Sequence, residues 1–450
     1  MKYTPHTDAD RAAMLAAIGV ESNDDLFNDV PEAYRFPTLD LPQGMSEVTA
    51  RRHFERMATR NATLSTHPSF LGAGAYYHYT PAVVPHLLFR GELYTAYTPY
   101  QAEVAQGTLQ IIYEFQTLMA ELTGMDVANA SMYDGSTAVA EAALMAVRQS
   151  RGKRNKLVIS RGLHPEYRKV LDTYNHGIDI DEHYVDLDAV SGLTPLAAVE
   201  AALDDKTAAV IVQYPNFYGN IEDLRAIGDA AHAAGALLCV SADPIAITML
   251  QSPGELGADI VTGEGQSLGI PVWYGGPYVG FFATSQKLLR QMPGRICGRT
   301  VDTEGRTGYV LTLQAREQHI RRDKATSNIC TNEALVATAV TMYMTAVGKQ
   351  GLLQVANLCY QRSHYLIDQL SALEGYERLH EAPFFREAAL RTPRPAAELN
   401  RYLWEEHGII GGYDLGRVDP ALDHAWLLTA TEMNSREEID RLVDAVRAFA

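Results

Sequence analysis

The feature that most constrains this chain is a series of short apolar runs alternating with stretches whose apolar residues recur at helical spacing. Leu157–Ser160, Ala208–Gln213 (AAVIVQ), Leu237–Val240, Asp259–Thr262 and Val279–Ala283 read as strands. Gly107–Thr123, Gly135–Arg148 and Ile221–Ala234 read as helices; in the first, Leu109, Ile112, Phe115, Met119 and Leu122 fall on one helical face. Apolar runs without alternation suit strands buried on both faces, and helical crossovers suit parallel neighbours. The expected fold class is therefore α/β, with a mostly parallel sheet covered on both sides. Ligands in such sheets sit outside the carboxyl ends of the strands.

The flanks differ in texture. Residues 1–75 are expected to form an N-terminal arm: a helix over Asp8–Ile18, interruptions at Pro31, Pro37 and Pro42, a helix over Ser46–Arg60, then a Gly-rich aromatic loop, Phe70–Tyr77. Beyond Thr331, two long amphipathic helices (Asn332–Val347 and Leu352–Leu373) lead into a short αβ unit and a last helix, Ser435–Phe449. Ser435 and Glu438 there have the spacing of a capping box. The expected division is a large domain over 76–330 and a smaller C-terminal α/β domain over 331–450.

Composition narrows the function. Lys plus Arg number 38 against 55 Asp plus Glu, a net charge of −17. A nucleic-acid binder needs a positive footprint, so no nucleic-acid partner is expected. Cys239, Cys297, Cys330 and Cys359 are far apart, with no CxxC pair; no metal site is expected, and free thiols fit a reducing compartment. The N-terminus carries Asp8 and Asp10 and no apolar signal core, and no run of ~18 uncharged apolar residues occurs. No membrane association and a cytoplasmic location are expected.

Three elements point to one chemistry. Asp134-Gly135-Ser136-Thr137 opens a helix, whose free N–H groups and hydroxyls suit a phosphate and equally suit an ordinary helix cap. Asp243 follows the Leu237–Val240 strand, where a carboxylate can pair with a protonated pyridine nitrogen or simply start the turn at Pro244. His164, after Leu157–Ser160, can stack on a flat ring or serve as a hydrogen-bonding surface residue. Together they spell a pyridoxal-phosphate site of the aspartate-aminotransferase type. Such a site needs a lysine for the Schiff base. After the Asp259–Thr262 strand the chain reads Gly263-Glu264-Gly265-Gln266-Ser267-Leu268-Gly269, with no lysine.

Seven segments carry a resemblance: FLGAGAYYHYTP (70–81), YTAYTPYQAEVAQG (94–107), MDVANASMYDGSTA (125–138), YPNFYG (214–219), YGGPYVG (274–280), RDKATSNICTNE (322–333) and GIIGGYDL (408–415). With them the chain closely resembles the alpha-subunit branch of the glycine-cleavage P-protein family. The resemblance implies the fold type I architecture of pyridoxal-phosphate-dependent transferases. It implies a beta subunit of the same fold that holds pyridoxal phosphate on a lysine in a His-Lys-Thr motif, whose counterpart here is Gly265-Gln266-Ser267. An amide cannot form the Schiff base, so this chain is expected to have no catalytic lysine and no activity alone. The implied assembly is an α2β2 heterotetramer that decarboxylates glycine and passes the aminomethyl group to the lipoyl H-protein. In enzymes of this fold the loop at Thr326, Ser327 and Asn328 reaches the neighbour's phosphate; here it either contributes to the partner's site or forms a plain interface. Tyr97, Tyr100 and Gln101, like Tyr76, Tyr77 and Tyr79, either line a pocket mouth or pack between subunits. Three alternatives stay open, the first two being a self-contained enzyme using Lys324, and non-covalent pyridoxal phosphate in a degenerate pocket of Gly135, Ser136, Thr137, His164 and Asp243. A non-catalytic scaffold that binds no ligand is the third.

Overall fold

A computed structural model describes residues 5–325 and 327–449. The chain forms two compact units, divided in sequence between Thr63 and Leu64. In the first unit the helix Asp8–Ile18 starts with a reciprocal cap between Thr7 and Asp10 and stops at Gly19, which takes a left-handed conformation. The helix Glu47–Ala58 starts at Ser46, whose hydroxyl accepts from the Thr49 N–H.

The second unit is built on a seven-stranded sheet. Its strands are β1 (Val127–Ala128), β2 (Lys156–Ser160), β3 (Asp181–Val185), β4 (Thr207–Tyr214), β5 (Leu237–Ala242), β6 (Ile260–Glu264) and β7 (Gly280–Thr284), in the spatial order β1-β7-β6-β5-β4-β2-β3. The pairs β3–β2, β2–β4, β4–β5 and β5–β6 are parallel, and β7 runs antiparallel to both β6 and β1. Val210, Val212, Leu238 and Val240 enter one core cluster, whereas Ala209, Ile211 and Cys239 enter another. Successive residues thus bury on opposite faces, which is why AAVIVQ shows no polar alternation.

A hairpin of β8 (Ile296–Val301) and β9 (Thr307–Thr312) follows, closed by Asp302, whose carboxylate accepts from the Glu304 and Arg306 N–H groups. The helical stretch Ala334–Ser371 is broken at Gly348, at φ 64°, a conformation that glycine adopts without a Cβ penalty. The two helices expected there are therefore joined end to end. Beyond them β10 (Glu377–Arg378), β11 (Glu387–Arg391), β12 (Tyr413–Asp414) and β13 (Ala425–Thr429) form an antiparallel sheet in the order β10-β11-β13-β12. Trp426, Leu428, Leu399, Leu442 and Val446 are its core. The last helix, Arg436–Phe449, starts with the expected reciprocal cap between Ser435 and Glu438.

One segment ties the two sheets together. The strap 69–80 is bonded to the small sheet through Phe70 N–H to the Ile410 carbonyl (2.9 Å), Thr429 N–H to the Phe70 carbonyl (3.1 Å) and Ala73 N–H to Glu387 (2.7 Å). It is bonded to the β6–β7 connection through Tyr76 and Gln266, and through Thr80 to the Gly269 carbonyl. Among the described residues, no helix is long and apolar enough to cross a membrane.

Candidate functional site

The carboxyl ends of β4, β5 and β6 open on a cavity of only about 50 Å³, bordered by His164, Gln213, Asp243, Ser267 and Arg386. Clefts for small organic ligands run to roughly 300–1,000 Å³. The space is filled by this chain's own side chains.

Asp243 performs two jobs at the end of β5. One oxygen accepts from the N–H groups of Ile245 (2.8 Å) and Ala246 (3.2 Å), which starts the turn. The other is paired with the Arg386 guanidinium. Arg386 also bonds to Nε2 of His78 and lies 3.6 Å above the Tyr76 ring. Burial works against its charge, but Asp243 and the groups around it prevail, so its pKa is raised. A positively charged group thus occupies the carboxylate that a pyridine nitrogen would need.

The network runs on. His78 Nδ1 donates to Glu432 (2.7 Å), which also accepts from the Tyr79 N–H (2.8 Å). Burial lowers the His78 pKa and keeps the ring neutral; at Glu432 burial works against the charge, but His78 and the backbone N–H groups together prevail and hold its carboxyl down to about 2. Glu387 accepts from the Ala73 N–H and the Tyr76 hydroxyl (2.8 Å), and burial pushes its carboxyl up to about 7. His78, Cys359 and Glu432 lie close enough to hold a metal ion. Both ring nitrogens of His78 are already taken, by Glu432 and Arg386.

Gln266, where the resemblance expects the lysine, is 1% exposed. Its Oε1 accepts from the Tyr76 N–H (2.8 Å), and its Nε2 donates to the carbonyls of Tyr76 (2.9 Å) and Ile270 (2.7 Å). An amide both accepts and donates, so it pairs with a backbone N–H and C=O in the manner of a neighbouring strand. A lysine ammonium cannot accept. Gln266 is therefore the clamp that seats the strap.

The expected phosphate cradle is occupied as well. At the start of the helix Gly135–Gln149, Asp134 accepts from the Thr137 N–H (2.8 Å) and the Ser136 hydroxyl (2.5 Å). Glu264, at the end of β6, accepts from the N–H groups of Gly135 (2.9 Å), Gln266 (3.0 Å) and Val279 (3.1 Å). Burial pushes the Glu264 carboxyl up to about 8. The space beside the cradle is bordered by Asp134, Glu166, Glu264 and Glu333. A phosphate carries close to two negative charges at neutral pH and meets four carboxylic groups there.

His164 is also committed. Its Nδ1 accepts from the Glu166 N–H (3.1 Å), capping the helix Pro165–Asn175, and its Nε2 donates to the Ala73 carbonyl (2.9 Å). Its ring stacks on Tyr167 at 4.8 Å. The strap covers another part of the ring: at Gly74 (φ +105°) a Cβ would lie 2.9 Å from His164 Nε2. The structure brings His164 and Asp243 to one small cavity and Ser136 to its acidic neighbour, while the N–H groups of Gly135 and Thr137 are bonded to Glu264 and Asp134. These residues do not fit pyridoxal phosphate in this chain: the ring position, the nitrogen partner and the phosphate cradle are each filled.

A second cluster forms around the buried Arg295. Its Nη2 donates to the Tyr100 hydroxyl (2.8 Å), its Nη1 reaches Thr98 (3.4 Å), and its Nε lies 3.5 Å from Glu317. The Tyr100 ring lies 5.6 Å from His319, and Gln318 donates to Asn328 (3.4 Å). The tyrosine loop 97–101 and the segment 317–330 are thereby drawn to one region. Tyr97 is 81% exposed there. Gln101 precedes a short turn over Ala102–Val104. The Ser327 hydroxyl accepts from the Ile329 N–H (3.0 Å), and Thr326 lies outside the described residues. Lys324 is exposed at the end of the turn Arg322–Lys324 and borders neither the cavity nor the acidic space.

The residues that sequence reasoning missed are Arg386, Glu387, His78, Glu432, Glu264 and Arg295. One signal was available: in Phe384-Phe385-Arg386-Glu387-Ala388-Ala389-Leu390 a charged pair interrupts an apolar strand, which marks buried charges that need partners.

Comparison with known proteins places this geometry. The sequence matches the family described as glycine cleavage system P-protein over residues 1–446. It is 54% identical over 447 residues to the probable glycine dehydrogenase (decarboxylating) subunit 1 of Thermomicrobium roseum, covering 99% of each chain. The corresponding protein of Desulforamulus reducens is 53% identical, with 100% of each chain covered. The crystal structure of a glycine decarboxylase (P-protein) of the glycine cleavage system, in inhibitor-bound form, aligns over 100% of both chains at 42% identity and a TM-score of 0.92. A Lactobacillus brevis glutamate decarboxylase, at 14% identity and a TM-score of 0.70, shares the fold alone. The fold is that of the fold type I pyridoxal-phosphate-dependent transferases, as expected.

Proposed function

The chain belongs to the glycine cleavage system P-protein family, and from that premise we propose that it is the glycine dehydrogenase (decarboxylating) subunit without a Schiff-base lysine. The observation that carries this reading is Gln266, buried at the lysine's expected position with both ends of its amide bonded to backbone. The partner is a beta subunit of the same fold in an α2β2 heterotetramer, working in the cytoplasm. That partner carries pyridoxal phosphate, which supplies an electron sink for the decarboxylation of glycine. The aminomethyl group passes on to the lipoyl H-protein.

This chain's own contribution is a preformed surface. Leu71, Tyr79, Val83, Phe89, Tyr94, Tyr97, Tyr100 and Val104 are all exposed within 34 residues of sequence, a density of apolar and aromatic side chains typical of an interface. Tyr97, Tyr100 and Gln101 belong at the mouth of the partner's site, and the hydroxyl of Ser327 and the amide of Asn328, with Thr326, at its phosphate. Arg295 orients this group by holding the Tyr100 hydroxyl. We assign the large domain to 76–330 and the small one to 331–450, with the preceding residues as the arm.

Borohydride reduction with pyridoxal phosphate, followed by intact mass on each subunit, tests the reading. It predicts an adduct on the co-expressed partner only, and glycine decarboxylation only when both chains are present. A stoichiometric adduct on this chain, at Lys324 or elsewhere, would overturn it.

A further inference from the structure

A cleft of about 300 Å³ lies between the N-terminal part of the helix Pro165–Asn175, the β3 strand and the β12 region of the small sheet. It is bordered by four basic residues and two acidic ones, in a chain whose net charge is −17. Glu166 is bonded to Lys169 at 2.9 Å, and Asp172 shares the Tyr184 hydroxyl (3.2 Å) with Glu182, which lies nearer to it (2.9 Å). Arg161 is paired with the exposed Asp186 and lies over the Tyr184 ring.

The other two guanidiniums are free. Among the described residues, neither Arg168 nor Arg417 makes a side-chain hydrogen bond or ion pair, and the Arg168 Nε is buried without a partner. Burial, and then the charge of Arg161, lower the Arg168 pKa, and Tyr218, Tyr184 and Asp172 offset them only in part. A desolvated guanidinium without an acceptor is costly, and an oxyanion would satisfy it.

We propose that this cleft binds a small phosphate monoester, its phosphoryl group held by Arg161, Arg168 and Arg417 and its organic part set against Tyr184 and Tyr413. A planar carboxylate is matched by one guanidinium fork, whereas a phosphoryl group offers three oxygens to three donors. The volume exceeds what a bare phosphate needs and reaches the lower end of small-ligand clefts. The site is separate from the Asp243 cavity, which neither Arg168 nor Arg417 borders. An occupant would bridge the Pro165–Asn175 helix and the small sheet.

Isothermal titration of the full chain, in the assembly in which it purifies, tests this at constant ionic strength set with potassium chloride. The probes are glycerol phosphate, inorganic phosphate and citrate. The expected result is saturable binding of one glycerol phosphate per chain, tighter than inorganic phosphate, with citrate weakest. Arg168→Gln and the exposed Arg417→Gln should each weaken it about 10- to 100-fold, the loss of one hydrogen bond to a charged partner. Arg299→Gln, on β8, should leave it unchanged. Heats that do not saturate, citrate binding as tightly as the phosphates, or equal affinity in wild type and both cleft variants would overturn the proposal.

Discussion

Restoring the missing lysine should not restore a cofactor site. In Gln266→Lys the ammonium can still donate to the carbonyls of Tyr76 and Ile270, but the Tyr76 N–H loses its acceptor. An orphaned buried donor costs about 1–3 kcal/mol. The position is 1% exposed, so the ammonium is also desolvated, and the Arg386 guanidinium touches the adjacent Ser267. A depression of the lysine pKa by about 3 units corresponds to about 4 kcal/mol at neutral pH. The total, about 5 kcal/mol or more, is comparable to the stability of many domains. The sign of the pH dependence follows: the unfolded chain binds this proton more tightly, so the deficit shrinks as pH rises toward 10. Urea denaturation of wild type and variant at pH 7 and pH 9 measures both effects, and borohydride trapping with pyridoxal phosphate reports the site. A variant of wild-type stability that takes up a stoichiometric adduct would refute the argument, because it would show that strap and arginine yield the pocket without cost.

Three further outcomes follow from the same geometry. Glu264 ionises at about 8 in the folded chain against 4.5 for a free carboxyl, so its contribution to stability is full below pH 4.5 and lost as pH rises to 8; Glu264→Gln should flatten melting curves recorded from pH 5 to 9 by about 3 kcal/mol, partial exposure included. Arg386→Met strands the Asp243 carboxylate and should cost about 3–5 kcal/mol in urea denaturation, with part regained in Arg386→Met/Asp243→Asn. Cys330 is exposed whereas Cys239, Cys297 and Cys359 are buried, so the isolated native chain should titrate one fast thiol with a disulfide reagent and four after denaturation.

The legible parts of this fold are those whose physics is local. β4 and β5 announce themselves because both faces are buried, and the caps at Ser46 and Ser435 because a hydroxyl serves an N–H three residues on. β3 did not, since its Asp181-Glu182-His183 start lies at the sheet's edge and is largely exposed. The β8–β9 hairpin is rich in Thr and Arg and half exposed, so its only signal was the turn at Asp302. At the site, Asp243 and His164 were found because strand ends in a parallel sheet are where ligands bind. In each case the structure shows the ordinary role that was offered: Asp243 starts its turn, and His164 makes hydrogen bonds, capping a helix. The partners that fill the pocket are long-range: Arg386 lies 143 residues from Asp243, and Gln266 lies 190 from Tyr76. No local pattern encodes such a pairing. Gln266 drew notice only because the family resemblance expects a lysine there.

The strap at 69–80 carries a mechanical consequence. Enzymes that bind ligands between two lobes commonly swing open and shut, and the swing sets their pace. Here the hinge is bolted: one stretch of chain is bonded to the small sheet at Ile410, Thr429 and Glu387, and to the large one at Gln266 and Gly269. For a ligand to enter between the two sheets, these bonds would have to break. On the proposed reading, the loops around Arg295 are carried on a braced frame, an anvil against which a neighbouring subunit would close.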